Sequence, residues 1–142
     1  MKIIAIGNIK ESYLREGCNE YIQRLCKSYG PEIIEIKDKT LDQEAESILK
    51  QIKTEFLIVM DEKGKSFTSL EMAEFIKKKH SEGRKLCFVV GSSDGLSQKV
   101  KDKADLLLSL SKMTFTHEMA RLFLLEQIYR AHMINSGRKY NK

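Results

Sequence analysis

The fold is decided by the stretch KLCFVVGSSDGLS at residues 85–97, in which an unbroken apolar run passes through two glycines to a serine. An apolar run without alternation is typical of a strand covered on both faces, as in a parallel sheet between helices. Ser97 can cap a helix that begins at the next residue. The stretch therefore predicts a strand, a tight loop and a short helix, in that order.

Working outward, four other short segments share this strand pattern, being mostly unbroken and rich in Ile, Val, Leu or Phe. They are KIIAIG (2–7), EIIEIK (32–37), EFLIVMD (55–61) and DLLLSL (105–110). Apolar stripes at helical spacing run between them, from Leu14 to Tyr29 and from Leu41 to Ile52. A third helix is expected from Thr68 or Ser69 to Gly83. The alternation predicts an α/β fold, with a mainly parallel sheet flanked by helices, in one domain over residues 1–142.

The last helix, expected from about Thr116, is apolar on nearly every side and yet carries several charges. A helix with apolar groups all round is buried on more than one side. In a chain of 142 residues the second cover is most easily a second copy, so we expect a homodimer with this helix in the interface. Glu126 and Arg130 are four residues apart and are expected to form an ion pair.

Length and composition fit a globular protein, since 42% of the 142 residues are hydrophobic. No apolar run approaches the roughly 20 residues that cross a bilayer, so we expect no membrane association. The opening residues are interpreted as the first strand rather than a signal peptide. Cys18 and Cys26 lie about two turns apart on one helix, too far for a disulfide, and the third cysteine is Cys87. Buried free thiols in a cytoplasmic protein are the simplest interpretation.

The formal net charge of +5 favours a polyanionic partner without establishing one. The cations occur in small groups, and the alternative is that each group is a solvated helix face. The groups are Lys77–Lys79, Arg84 with Lys85, Lys99 to Lys103, and Arg138 with Lys139 and Lys142.

Three loops at expected strand ends are candidates for one ligand pocket, because parallel sheets bind ligands beyond the carboxyl ends of their strands. They are MDEKGKSF (60–67), GSSDG (91–95) and LSKMTFTH (110–117). The glycines lack the spacing of a dinucleotide site or a P-loop, so an ordinary tight turn explains them about as well. His117 and Arg121 stand next to the third loop. His80 and His132 have no spaced carboxylate or cysteine partners, so we expect no metal site.

Three segments together carry a resemblance to a known family: VVGSSDGL (89–96), LSLSKMTFTHEMARLFLLEQIYRAHMI (108–134) and KYNK (139–142). They resemble the RlmH (YbeA-type) branch of the SPOUT methyltransferases over essentially the whole chain. The resemblance implies S-adenosylmethionine as methyl donor and N3 of a pseudouridine in 23S ribosomal RNA as acceptor. It also implies a homodimer, a C-terminal trefoil knot, and action on the large subunit or the whole ribosome rather than on DNA.

The resemblance also implies roles for individual residues. His117 and Tyr140 become candidate proton handlers, while Arg121 and Arg130 are expected to contact RNA phosphate or the base anion. Residues from three loops are expected to hold the methyl donor, in large part through backbone groups. These residues are Met60, Gly91, Leu110, Ser111, Lys112, Met113, Thr114 and Phe115.

Three positions depart from the family pattern: Gly91-Ser92 stands for Gly-Gly, Thr116-His117 for Pro-His, and Tyr140-Asn141 for Tyr-His. The last departure removes an imidazole from the tail and keeps open a noncatalytic RNA-binding or ribosome-assembly factor. A SPOUT enzyme acting on a ribose 2′-hydroxyl or a guanine is a second alternative. A nucleotide-binding protein of the flavodoxin type is a third.

Overall fold

The computed structural model describes residues 1–138, in which ten elements alternate between strand and helix as the sequence predicts. The strands are β1 (Lys2–Ile6), β2 (Glu32–Ile36), β3 (Phe56–Ser66), β4 (Leu86–Val90) and β5 (Leu106–Ser109). The helices are α1 (Ser12–Leu25), α2 (Leu41–Gln51), α3 (Ser69–Ser81), α4 (Gln98–Lys101) and α5 (His117–Asn135). Tyr140, one of the expected catalytic residues, lies outside the described residues.

The five strands form one sheet in the order β2-β1-β4-β3-β5, and all neighbouring pairs are parallel. In the centre, Ile4 of β1 pairs with Ile34 of β2 on one side and with Val89 of β4 on the other. The predicted α/β class with a parallel sheet is confirmed. All the carboxyl ends of the strands lie at one edge, which we call the carboxyl edge.

Apolar residues are buried on both faces of this sheet, which explains why the strand sequences do not alternate with polar residues. Ile3 and Ala5 of β1 belong to a core that α1, α3 and α5 cover. Ile4 and Ile6 belong to a second core on the opposite face, covered by α2 and α4. The molecule therefore has three layers, with the sheet between two helical layers.

Side-chain caps fix the beginnings of three helices where the sequence predicted them. Thr116 caps α5 by accepting a hydrogen bond from the Met119 backbone N–H (3.2 Å). Thr68 caps α3 in a reciprocal capping box with Glu71. Ser97 caps the short α4.

β3 is longer than the sequence predicts, because residues 62–66 were expected to be loop and instead extend the strand. The extension pairs with β5: Met60 and Lys65 are both partners of Leu108, with a register shift between them. Gly64 makes this approach possible, since a Cβ there would lie 2.6 Å from the backbone of Leu107 and Leu108. Such a contact is between distant parts of the chain and leaves no local pattern. The trefoil knot stays a prediction.

The three cysteines are free, as expected, but only Cys18 and Cys87 are buried. Burial raises the pKa of the Cys87 thiol to about 12. The expectation of a buried thiol was wrong for Cys26, which is exposed and lies just beyond the end of α1 at Leu25. The apolar stripe continues to Tyr29 through a turn rather than through the helix.

α5 lies on the sheet with α1 and α3 packed against it, and no residue of the helix is fully exposed. Its buried stripe includes Leu124 and Ile128, both 0% exposed. The chain itself therefore buries α5 on more than one side, which accounts for part of the burial that we expected from a second copy. The residues opposite the buried stripe, such as Phe123 and Met133, are half-buried. Among residues 1–138, neither α5 nor any other helix has the length and apolar character needed to cross a bilayer.

Candidate functional site

A large open cavity lies at the carboxyl edge, where β3, β4 and β5 end. Its volume is about 1080 Å³, and it is lined by residues 60–63, 90–96, 108–111 and 113–120, together with residues near the start of α1. This is at the upper end of the range for small-molecule pockets. The three segments that the sequence placed at neighbouring strand ends therefore surround one cavity, although the first of them extends β3 rather than forming a loop.

Seven of the eight residues that the resemblance assigns to the methyl donor lie on the cavity wall. They are Met60, Gly91, Leu110, Ser111, Met113, Thr114 and Phe115. Lys112 is exposed and is not part of the lining. Their binding role stays a prediction, but the residues that this prediction requires to lie together do lie together.

The loop after β4 is folded tightly against itself. The Gly95 N–H donates to the Ser92 carbonyl oxygen (3.0 Å), and Gly95 has a φ of +80°. A Cβ at Gly91 would lie 2.6 Å from the Gly95 carbonyl oxygen. Both glycines are therefore needed for the turn itself, in accord with the interpretation of this stretch as a tight strand-to-helix turn.

The loop between β5 and α5 is shaped by its serines. The Ser109 hydroxyl donates to the Ser111 carbonyl oxygen, and the Ser111 hydroxyl accepts from the Met113 N–H, both at 2.9 Å. Met113 is 73% exposed, although it lines the cavity. At the far end of the loop, the Phe115 ring packs edge-on against the Phe123 ring at 4.9 Å. The loop is thus anchored to α5 while Met113 faces solvent.

Among the expected catalytic residues that the structure describes, only His117 lines the cavity. It is the first residue of α5. Its Nε2 lies 3.9 Å from Glu118 Oε1 and would be 3.7 Å from a Cβ at Gly7. The imidazole is therefore half-buried between the end of β1 and the cavity.

Glu118 ties the segment between β1 and α1 to the start of α5. Its Oε2 accepts from the backbone N–H groups of Lys10 (3.0 Å) and Glu11 (3.2 Å), and the residue is 8% exposed. Hydrogen bonds to an ionised acceptor are stronger than neutral ones. Glu118 therefore fixes the part of the cavity wall to which Glu11 belongs.

Arg121 lies inside the protein and off the cavity wall. It is 5% exposed, and its guanidinium donates to the Gly7 carbonyl oxygen (3.1 Å) and to Glu35 Oε1 (2.5 Å). It thus joins α5 to the ends of β1 and β2. Nothing in the sequence indicates the pairing with Glu35, which is 86 residues away. A contact between Arg121 and RNA stays a prediction.

Arg130 lies roughly 20 Å along the helix from His117, at 1.5 Å per residue. It donates to Glu126 Oε1 through Nε (3.1 Å) and Nη2 (2.6 Å). The ion pair predicted from the four-residue spacing is confirmed.

Several residues on the cavity wall lie outside the three predicted loops, among them Glu11, Tyr13 and Lys101. Lys101 Nζ lies 2.6 Å from Asp61 Oδ2, and this contact holds the pKa of the Asp61 carboxyl below its usual value. Glu11 and Tyr13 belong to the wall because β1 is the neighbour of β4 in the sheet. The rule about strand ends could have indicated them only if the strand order had been known.

No group of three histidine, cysteine or carboxylate side chains suited to a metal ion occurs within residues 1–138. His80 and His132 instead pack against the Tyr29 ring, at 6.3 and 5.4 Å between ring centroids. Burial lowers the pKa of His132 from its ordinary value, and the nearby charge of Arg138 adds to this effect.

Comparison with known proteins gives a match over nearly the whole chain: residues 1–141 fit a family described as predicted SPOUT methyltransferases. The chain belongs to the SPOUT methyltransferase family. The resemblance drawn from residues 89–96, 108–134 and 139–142 is therefore confirmed.

Individual members of the family are similar to this chain from end to end. A protein named ribosomal RNA large subunit methyltransferase H from Caldicellulosiruptor bescii is 44% identical, covering 100% of this chain and 99% of its own. Proteins of the same name from Carboxydothermus hydrogenoformans and Prochlorococcus marinus are 43% and 44% identical. They cover 99% of this chain, and 98% and 94% of their own lengths.

A solved structure shares the fold at much lower identity. It is the SpoU methyltransferase AviRb from Streptomyces viridochromogenes in complex with the cofactor AdoMet. The TM-score is 0.51 at 11% identity, and the match covers 94% of this chain but 58% of that one. At this identity the similarity establishes the SPOUT-type fold alone.

Proposed function

We propose that this SPOUT family member transfers a methyl group from S-adenosylmethionine to N3 of a pseudouridine in 23S ribosomal RNA. Relatives at 40–44% identity over the full chain are named ribosomal RNA large subunit methyltransferase H. The observation that carries the proposal for this chain is the single cavity that gathers seven of the eight expected donor-binding residues. We place the activity in the cytoplasm, where ribosomes are assembled.

The cavity suits a nucleoside joined to an amino acid. Its volume of about 1080 Å³ is ample, and its wall combines apolar residues such as Met60 and Leu110 with the polar residues of two turns. S-adenosylmethionine, when bound there, supplies an electrophilic methyl group on a sulfonium centre. Residues of the 91–96 and 110–115 loops would hold its polar ends.

His117 is positioned to handle the proton that N3 of the base must lose before the nitrogen can accept a methyl group. Its imidazole lies on the cavity wall at the start of α5. A general base of this kind contributes about 10²- to 10⁴-fold in rate. Tyr140 remains a second candidate. We assign Glu118 and Arg121 to positioning, because they hold residues 7–11 against α5.

We further propose that the protein acts as a homodimer through the face of α5 opposite its buried stripe. Met119, Phe123 and Met133 on this face are half-buried in the single chain, and a second copy would complete their burial. Light scattering after gel filtration should give twice the 16.4 kDa of one chain. RNA contact by the surface lysines predicts weaker binding as salt rises.

The experiment that tests the activity is methylation of ribosomes that lack the modification, followed by mass spectrometry of RNA fragments. We expect one methyl group on a pseudouridine. His117→Ala should lower kcat at least about tenfold while S-adenosylhomocysteine still binds. The matched control is His80→Ala on α3, which lies off the cavity and should retain full activity.

The departure at Asn141 favours one second candidate, an RNA-binding or ribosome-assembly factor without catalysis. Wild-type protein that binds ribosomes and S-adenosylhomocysteine but transfers no methyl group would establish this alternative. Asn141→His then becomes decisive, since a gain of activity would identify the missing imidazole as the cause.

A further inference from the structure

Tyr13 is 64% exposed although its residue lines the large cavity. The other tyrosines of residues 1–138 pack against rings: Tyr21 against Tyr129 at 5.8 Å, and Tyr29 against His132 at 5.4 Å. Within the same part of the chain, Tyr13 contacts no other ring. A large aromatic ring left in water at a cavity mouth presents an apolar face to whatever enters.

The local structure holds Tyr13 in this position. Leu14, the next residue, is 3% exposed and packs in the core, so Tyr13 lies on the outer side of the helix. The first turn of α1 is fixed by the bond from the Arg15 N–H to the Glu11 carbonyl oxygen (3.0 Å) and by Glu118, which accepts from the Glu11 N–H. The ring thus projects from a rigid helix start rather than from a mobile loop.

A second exposed apolar side chain lines the same cavity from a different element. Four large apolar side chains are strongly exposed within residues 1–138: Tyr13, Leu41, Leu70 and Met113. Two of them, Tyr13 and Met113, lie on the cavity, and the other two do not. A flat aromatic ligand suits an aromatic ring and a polarizable thioether as neighbours.

Cationic side chains occur close to both residues in the chain. Lys10 and Arg15 flank Tyr13, and Lys112 precedes Met113. Among the described residues, these three form no ion pair. Unpaired cations beside an exposed ring are the combination that binds single-stranded nucleic acid, through phosphates and stacked bases.

We propose that Tyr13 is the stacking platform for the acceptor base of the RNA at the cavity mouth, with Met113 contacting the same nucleotide and Lys10 and Arg15 contacting its phosphates. This inference rests on the proposed methyltransferase function. A base must leave its helical stack to reach a donor inside a cavity, and an aromatic ring at the mouth replaces the lost stacking. Tyr13 acts here as a substrate-binding residue and takes no part in proton transfer.

The first test compares Tyr13→Ala with Tyr13→Phe. Base stacking on an aromatic ring predicts that Tyr13→Ala lowers kcat/KM for unmethylated ribosomes about ten- to a hundredfold. Tyr13→Phe keeps the ring and should stay within about threefold of wild type. Affinity for S-adenosylhomocysteine, measured by calorimetry, should be the same in all three proteins.

Three results would overturn the proposal. If the wild type is active and Tyr13→Ala is equally active, the Tyr13 ring is not needed for binding the acceptor base. Loss of S-adenosylhomocysteine binding would place Tyr13 at the donor instead. A change of oligomeric state in light scattering would show that the ring packs against a second copy of the chain.

A second test needs no turnover and therefore holds even if the proposed activity fails. The chain contains no tryptophan, so Tyr13→Trp introduces a single fluorophore. An RNA oligonucleotide with an unpaired pseudouridine should quench it, and the same oligonucleotide with an abasic nucleotide should not. Leu70→Trp is the matched control, since Leu70 is also 64% exposed but lies off the cavity. Equal quenching at both positions, or equal quenching by both oligonucleotides, would contradict stacking on residue 13.

Discussion

The first five residues of α5 and its later turns use their charges differently. Glu118 and Arg121 contact residues more than 80 positions away, in the segment after β1 and at Glu35 of β2. Glu126 and Arg130 instead bond each other within the helix. The later turns meet α1 and α3 chiefly through apolar residues such as Ile128.

This difference explains why a largely apolar helix carries charges at all. The start of α5 lies at the carboxyl edge, where the Gly7 carbonyl oxygen and the Lys10 and Glu11 N–H groups bond side chains of α5 rather than a strand. Glu118 and Arg121 provide these side chains and so shape the cavity wall. Further along, the helix packs mainly through apolar residues, with hydrogen bonds that join Gln127 and Asn135 to α3, and the Glu126–Arg130 pair lies within the helix.

Buried apolar residues in the later turns of α5 should contribute most to the free energy of unfolding. Ile128 is 0% exposed, and Ile128→Ala should lower the free energy of unfolding by about 2–4 kcal/mol. Urea unfolding measures the loss. Leu122→Ala, at a half-buried position of the same helix, should cost less. Equal losses at the two positions would mean that α5 is buried more evenly than its packing on the sheet indicates.

Mutations at the start of α5 should have the next largest effect on stability. Arg121→Met removes the buried guanidinium that bonds Gly7 and Glu35 and should cost about 2 kcal/mol, since the half-buried Gly7 carbonyl oxygen loses a charged donor while the exposed Glu35 carboxylate can bond water. Affinity for S-adenosylhomocysteine should fall as well, because residues 7–11 loosen. The control is Arg15→Met on the exposed side of α1, which should leave urea unfolding unchanged. A loss of stability without any change in affinity would show that Arg121 does not support the cavity wall.

An ion pair at the amino ends of the strands, away from the cavity, should make stability depend on pH. Lys2 Nζ lies 2.7 Å from Glu55 Oε1, and this bond lowers the pKa of the Glu55 carboxyl from 4.5 to about 2. A lowered pKa stabilises the fold above pH 4.5, and the stabilisation is lost as pH falls toward 2. Glu55→Gln should therefore cost about 1–2 kcal/mol at pH 7 and progressively less below pH 4.5. A pH-independent difference in urea unfolding would rule out this origin.

Glu118→Gln should have a smaller and more local effect. The N–H groups of Lys10 and Glu11 both donate to one oxygen, Oε2, and an amide oxygen can accept both but without the charge, so about 1 kcal/mol is expected. Hydrogen exchange should accelerate at the amides of Lys10 and Glu11, which the carboxylate now holds. Unchanged exchange at these amides would show that the segment after β1 is fixed by other contacts.

The sequence indicated local structure well and distant contacts poorly. Unbroken apolar runs placed all five strands, and Thr116 marked the start of α5, because caps and burial patterns are properties of neighbouring residues. The extension of β3 through Gly64 and the burial of Arg121 against Glu35 depend on which segments meet in space. Strand order decides this, and no local pattern encodes it.

The same limit applied to the site. Its three loops could be predicted because each follows a recognisable strand. Tyr13 and Glu11 could not, since their place on the wall follows from the adjacency of β1 and β4. The donor-binding positions came from the family resemblance rather than from periodicity or spacing.

Glu126→Gln should have the smallest effect, about 0.5 kcal/mol, because a pair four residues apart on one helix contributes little. The loss should shrink as salt is added, since these side chains are partly exposed to screening. Urea unfolding at low and high salt, and at two protein concentrations, measures both dependences. A larger loss that grows as the protein is diluted would mean that Glu126 stabilises the proposed dimer as well as its own helix. The charges of the later turns would then act beyond their own helix, as Glu118 and Arg121 do, and the two parts of α5 would differ less.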